Sequence, residues 1–363
     1  MQMRLLLVAL LCVMAAPTVA APQDDLTIPA GFTVSYFATD LGKVRLMAVH
    51  PTTGVLFASV TNQDRIIALP DANKDGKADK KVVFADGIKQ AHGLVWRGDD
   101  LYVAGTDRVV RLRDANHDLK PDGAAQQIAD LPGGGGHFTR TVRIGPDDKL
   151  YVSIGSSCNV CVERNKERAA IIRMNLDGSG RTLHATGLRN AVGITFDTAG
   201  NLWATNNGRD WLGNELPPEC LYKVTQGGFY GWPYAYGNRV ADPDFGASCR
   251  ECVAKTIPPA WEFPAHTAPL GLNFYSGTRW PAEFQGDLFI AFHGSWNSSY
   301  KKGYNVWRVD FQGGKPVRAT EFLKGFLRGR SDVWARPVDI ITGADGQMYL
   351  TDDFGGRIFR IAR

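Results

Sequence analysis

The chain has 363 residues, 44% of them apolar and 21% charged, and carries a net charge of +4. That balance is globular, and so small a charge excess with no long Lys/Arg run argues against a nucleic-acid partner. Forty glycines and nine tryptophans among short strand-like runs point to an all-β protein rather than a helical one.

The first stretch, MQMRLLLVALLCVMAAPTVA, has a basic start at Arg4, an apolar run from Leu5 to about Ala16, and small residues ending at Ala20. This reads as a secretory signal peptide over residues 1–20, its apolar part too short for a membrane span. Cys12 follows leucines where lipoprotein processing would want small residues, so no lipid anchor is expected. No later segment reaches a spanning length. Residues 21–363 are therefore expected to form one soluble catalytic domain in the periplasm or outside the cell.

A repeat then dominates the chain. A leucine or methionine, an aromatic and a few aliphatic or small residues recur in VLFAS (55–59), DLYVA (100–104), KLYVS (149–153), NLWAT (201–205), DLFIA (287–291) and QMYLT (347–351). Each follows a turn-like segment and a shorter strand: RLMAV (45–49), GLVW (93–96), TVRI (141–144), VGITF (192–196), LGLNF (270–274) or PVDII (337–341). Third strands (RIIAL, RVVRL, AIIRM, NVWRV, RIFRI) and fourth strands (KVVFAD, QQIAD, RTLHAT) complete most units. Four antiparallel strands repeated six times predict an all-β, six-bladed β-propeller. The last unit lacks a fourth strand and FTVSYFA (32–38) is left over, so the N-terminal strand is expected to close the ring.

Strand order sorts the loops onto two faces. Fourth-to-first and second-to-third connections share one end of the channel. They carry His92, His137 with Arg140, Arg189 with Asn190, and Arg336, together with the long loops 155–168, 206–219 and 293–304. Long loops on a rigid scaffold are where binding and chemistry concentrate. The Asp-rich loops DANKDGKAD (71–79) and DANHDLKPD (114–122) belong to the other end. They resemble the start of a calcium loop, but neither has Glu at the twelfth position, and such residues also turn the chain by bonding their own backbone.

Five cysteines lie beyond the leader: the pairs Cys158/Cys161 and Cys249/Cys252, and Cys220. In an exported chain each CxxC pair is expected as a disulfide rather than a zinc site, with Cys220 left over.

Arg140, Arg189 and Arg336, with Lys301 and Lys302 nearby, would repel one another unless an anion sits among them. Arg forks grip carboxylates and phosphates, so a polyanionic ligand is expected. The competing reading pairs each Arg with Asp210, Asp332 or Asp339. His137, at the end of GGGGH (133–137), suits a general base, since glycines let the chain approach a ligand closely. No nucleophile elbow, zincin motif, P-loop or dinucleotide fingerprint is present.

Taken in order, GHFTRTVRIGPDDKLYVSIGSSCNVC, GLRNAVGITFD, NNGRDWLGNELPPE with GGFYGWPY, AFHGSWN and RPVDIITGADGQMYLTDDFGGRIFRI resemble the sorbosone dehydrogenase branch of the soluble glucose/sorbosone dehydrogenase family. The resemblance covers nearly all of the chain beyond the leader. It implies an exported six-bladed propeller that uses pyrroloquinoline quinone (PQQ) with calcium and oxidises the aldehyde or hemiacetal carbon of a sugar. By it, His137 is the catalytic base, Arg189 and Asn190 contact PQQ, and Arg336 lies near its carboxylates. Arg140 and Arg45 join the candidate cofactor contacts, and the backbone carbonyls of Gly208 and Arg209 match calcium ligands. The glucose enzymes carry Asp before the catalytic His, whereas this chain has Gly136, which leaves the group that orients His137 open. Their cofactor lysine has no unambiguous match. The partners implied are a small sugar or sugar aldehyde and an electron acceptor the sequence does not name. The alternatives are a calcium-dependent lactone or ester hydrolase, which would bring several carboxylate or Asn ligands to the channel, and a non-catalytic binding propeller.

Overall fold

The computed structural model describes residues 25–363, so the expected leader lies outside the described residues. Six sheets, each built on four antiparallel strands, make the ring; five have only those four, and the third gains a fifth strand, Gly228–Phe229, which runs parallel to its outer strand Thr182–Thr186. Blade one runs through Val44–Val49, Leu56–Val60, Arg65–Leu69 and Val82–Ala85. Blade two comprises Gly93–Arg97, Asp100–Ala104, Arg108–Arg113 and Gln126–Asp130, and blade three Arg140–Ile144, Leu150–Ile154, Ala170–Met174 and Thr182–Thr186. Blade four holds Ile194–Phe196, Leu202–Asn206, Glu219–Val224 and Trp261–Phe263, and blade five Pro269–Phe274, Leu288–Phe292, Asn305–Gln312 and Lys315–Leu323. Blade six is Pro337–Thr342, Met348–Asp352 and Arg357–Ala362, completed on its outer edge by Thr33–Ala38. That last pairing is antiparallel from Thr33↔Ala362 to Ala38↔Ile358 and closes the ring as the sequence predicts.

The first strands of neighbouring blades pack against one another in cyclic order, so they line the channel. The second strands of blades one, three, four, five and six are buried at every position, because each is sandwiched between the faces of two adjacent blades. This is why the repeat shows apolar runs rather than an alternating pattern. Its aromatic residue, such as Phe57, Tyr102, Trp203 or Phe289, fills the space between blades. At the motif's last position a hydroxyl ties each of three blades to the next. Ser59 donates to the His92 carbonyl at 2.8 Å, Thr205 to that of Leu270 at 2.7 Å and Thr351 to that of Arg45 at 2.6 Å. Each bond gives a buried backbone carbonyl a partner from the neighbouring blade.

Blade four departs from the simple repeat, because residues 225–260 intervene before its outer strand and include the short helix Arg250–Lys255. The disulfides Cys158–Cys161 and Cys249–Cys252 form, and Cys220 is free and buried, as expected. Among the described residues no helix is long and apolar enough to cross a membrane.

Candidate active site

A cavity of about 390 Å³ opens at one end of the channel. Its walls come almost entirely from the fourth-to-first connections (136–139, 189–192, Arg336) and the second-to-third connections (207–210, 293–297), the two classes that strand order assigns to one face. Arg45, His137, Arg189, Asn190, Gly208 and Arg336 all line it.

His137 sits between blades two and three, and the glycines before it are less free than their sequence suggests. Gly135 has a left-handed backbone (φ 84°), and a Cβ there would lie 2.7 Å from Ser157 Cα. The Gly136 amide donates to the Ser157 carbonyl at 2.8 Å. Arg168 collects the carbonyls of Pro132 at 2.9 Å, Gly133 at 2.6 Å and Gly134. The tether is therefore pinned to the loop beyond the second strand of blade three.

That loop also orients the imidazole. His137 Nδ1 lies 3.0 Å from the Ser156 carbonyl and 2.9 Å from Ser156 Oγ, which itself donates to the Cys158 carbonyl at 2.6 Å. Both facing oxygens accept, so Nδ1 carries the proton and Nε2 keeps its lone pair. Burial, then the Arg189 guanidinium, push the His137 pKa down to about 4, against the pull of the Ser156 carbonyl. The His137 imidazole is therefore uncharged at neutral pH. Ser156 supplies what Gly136 cannot, and the sequence held its signal only as one residue of GSSC. Gly155 completes the fit, since a Cβ there would lie 2.6 Å from His137 Cβ and equally close to Asn190 Oδ1.

The arginines divide. Arg189 is buried and nearly saturated: it donates to the Asn159 carbonyl (2.9 Å) and Oδ1 (2.8 Å), to Asp210 Oδ2 (3.0 Å) and to the Asn207 carbonyl (3.4 Å). Its pairing with Asp210 is the carboxylate alternative weighed from sequence. Arg45 pairs with Asp353 at 2.6 Å, while its Nε is buried without a hydrogen-bond partner among the described residues. Asp353 also meets His293 Nε2 at 2.8 Å. Burial raises the Asp353 carboxyl, but His293 and Arg45 outweigh it and hold it well below the usual carboxylate range. Arg336 donates to the carbonyls of His293 at 3.0 Å and Gly294 at 2.9 Å, not to Asp332 or Asp339. Asp353 and His293 escaped the sequence reading, although both stand in second-to-third connections, where such residues are to be sought.

Arg140 is placed differently from its expectation as a cofactor contact. It is fully buried and does not line the cavity; its guanidinium donates to the carbonyls of His137 (3.0 Å), Thr139 (2.8 Å) and Pro132 (2.6 Å). Those acceptors flank the glycine run 133–136 on both sides and give the buried cation the partners it needs. His92 is likewise buried away from the cavity, with Nδ1 3.2 Å from the Arg140 carbonyl. Lys302 turns to the Asn214 carbonyl and to Glu215 at 3.4 Å, and neither it nor Lys301 lines the cavity.

The cavity end is less purely cationic than the sequence suggests. Asp210, Glu219, Asn190 and Asn207 line it as well. Glu219 opens the third strand of blade four and accepts from the amides of Gly208 (2.7 Å) and Ala268 (3.3 Å), while burial raises its pKa to about 7. Gly208 thus lies beside a buried carboxylate, a setting in which hard oxygen donors could gather round a divalent cation. The Arg209 side chain points elsewhere, into a buried pair with Asp242 at 2.9 Å, which leaves only its carbonyl as a candidate ligand.

Residues 47–358 match a family described as a domain of unknown function, DUF7133. The chain belongs to this family. It is 30% identical over 373 residues to an uncharacterized protein of Borreliella burgdorferi, covering 98% of this chain and 96% of that one. It is also 28% identical over 296 residues to the pyrroloquinoline quinone-dependent pyranose dehydrogenase of Coprinopsis cinerea, covering 62% of this chain but 40% of that longer protein. The holo PQQ domain of the Coprinopsis cinerea pyranose dehydrogenase superposes with a TM-score of 0.80 at 24% identity, over 96% of this chain and 99% of that domain. The PQQ-bound aldose sugar dehydrogenase of Streptomyces coelicolor superposes with a TM-score of 0.68 at 19% identity, over 93% and 99%. This DUF7133 member is thus related to PQQ-dependent sugar dehydrogenases, and it shares their propeller.

Proposed function

We propose that this protein is an exported, periplasmic or secreted dehydrogenase that oxidises the aldehyde or hemiacetal carbon of a sugar, an aldose or a sorbosone-like aldehyde, with PQQ and calcium at the channel mouth. The observation that carries this reading is a neutral His137 with Nδ1 committed to Ser156, in the same cavity as three arginines, one of them with an orphaned buried Nε. A compact polycarboxylate would supply the missing acceptor.

The residues fit such a group. Arg45 and Arg336 are held by Asp353 and by backbone carbonyls in a way that leaves guanidinium nitrogens over for carboxylates. Asn190 and the last free Arg189 hydrogen add neutral and charged donors. The carbonyls of Gly208 and Arg209, with Glu219 beside Gly208, would hold calcium. When bound, PQQ supplies the hydride acceptor and calcium the Lewis acid that polarises it. His137 Nε2 takes the proton of the sugar hydroxyl, and Ser156 stabilises the imidazolium that results by accepting from Nδ1–H.

Reconstitution tests the reading. Purified protein is mixed with PQQ and calcium, and dye reduction is followed with a panel of aldoses and sorbosone. Turnover with at least one aldehyde or hemiacetal is expected; no turnover together with no PQQ binding would sink the proposal.

A further inference from the structure

Two tryptophans at the mouth of the cavity lie outside every core cluster. Trp211 and Trp296 are each 67% exposed, and their rings meet at 89° with centroids 5.6 Å apart. Trp211 also holds a left-handed backbone (φ 72°), which is costly for a bulky residue and persists only where the surroundings impose it. Exposed indoles that fill no core, one of them on strained backbone, mark a binding surface.

The surroundings are built to hold them. The loops that carry them, beyond the second strands of blades four and five, are joined by side-chain bonds. Asn214 Oδ1 accepts from the Ser299 amide at 2.9 Å, and its Nδ2 donates to Ser299 Oγ at 2.6 Å. Asn297 Nδ2 donates to Asp210 Oδ1 at 3.1 Å, and His266 Nε2 lies 2.7 Å from the Gly213 carbonyl. Together the loops enclose a second, open cavity of about 440 Å³, lined by the two indoles with Asn214, Asn297, Ser298 and Ser299 and by no charged side chain. Trp296 and Asn297 line this cavity and the His137 cavity alike, so the two adjoin.

We propose that the Trp211–Trp296 corner is a subsite for a further pyranose unit, so that the preferred substrate is the reducing end of a neutral oligosaccharide rather than a free monosaccharide. This rests on the sugar dehydrogenase reading of the His137 site. A pyranose ring has an apolar C–H face that covers an indole and a rim of hydroxyls that neutral amides and hydroxyls serve well. The corner offers those two chemistries and no ionic one. An anionic glycan or a charged peptide would find no counter-charge on its walls.

The test uses the full chain and the series glucose, cellobiose, cellotriose, with maltose and maltotriose as the α-linked arm. For the PQQ-loaded enzyme, KM is expected to fall from one unit to two or three by about tenfold, the worth of one good aromatic contact. Trp211→Ala should erase that dependence while leaving monosaccharide turnover intact, and Trp211→Phe should restore most of it. In cofactor-free protein, oligosaccharides should perturb tryptophan fluorescence in the wild type and not in Trp211→Ala. If monosaccharides turn over but neither KM nor fluorescence responds to length in either arm, the subsite is overturned while the dehydrogenase reading stands. If no sugar is oxidised, the cofactor-free titration still decides: saturable binding abolished by Trp211→Ala supports the subsite, and no binding overturns it. A Trp211→Ala defect in dye or protein acceptor reduction alone, with length dependence preserved, would overturn it in favour of an acceptor-docking surface.

Discussion

The two ends of the channel use polar side chains to opposite effect. At the end opposite the cavity the Asp-rich loops spend their carboxylates on themselves. Asp71 accepts from the amides of Asp75 (3.1 Å) and Gly76 (3.0 Å), and Asp79 from that of Ala72 at 2.6 Å. The second loop repeats the scheme, with Asp114 accepting from Asp118 and Leu119 and Asp122 from Ala115. At the cavity end, Arg45 and Arg336 keep donors in reserve and His137 keeps a lone pair. Polar residues alone do not mark a site; unspent hydrogen-bonding capacity inside a cavity does.

The contrast is broken most directly at His137. His137→Ala is expected to lower turnover by roughly 10²- to 10⁴-fold, the usual worth of a positioned base, with PQQ binding retained. Retained activity would return His137 to a structural role. Asp353→Ala should come next, because it strands Arg45 and His293 and costs about 3 kcal/mol of stability as an uncompensated buried cation does. PQQ should then raise the melting temperature of this variant more than that of the wild type, and equal increments would argue against a carboxylate among these arginines. At the other end, Asp71→Ala should cost about 1.5–3 kcal/mol in denaturant unfolding, the range for lost bonds to a charged acceptor, and leave turnover unchanged.

The smallest effect sharpens the comparison through pH. His137 is depressed from 6.5 to about 4 in the cofactor-free protein. Between those values the unfolded chain binds more protons than the folded one, so this residue makes stability rise with pH across the window and stay level above it. Its ring resonances should titrate near pH 4 without PQQ and move upward when a carboxylate-bearing cofactor offsets the Arg189 field. Titration near 6.5 in the cofactor-free protein would mean the imidazole is not buried among cations.

Much of this was legible because a propeller repeats. One aromatic-bearing strand seen six times revealed the ring, the closing strand and the face that carries the loops. What stayed hidden depends on where a side chain turns after the backbone is placed. Arg140 and Arg336 come from equivalent connections, yet Arg140 folds back onto the carbonyls of Pro132, His137 and Thr139 while Arg336 stands at the cavity wall. Ser156, Asp353 and Glu219 each serve a group on another loop or strand, and spacing carries no trace of such pairs. Blade four's outer strand escaped because residues 225–260 separate it from its neighbour and break the period.

The ring's seam has a consequence for how the site comes into being. Arg45 belongs to the first blade and Asp353 to the last, 308 positions apart in the chain, and Arg336 stands on the last blade's side of the same joint. A chain whose final blade has not yet docked would own one half of an anion trap and no means to balance it. The proposed polycarboxylate site should therefore exist only once the circle is complete, so that cofactor capture would report a closed ring.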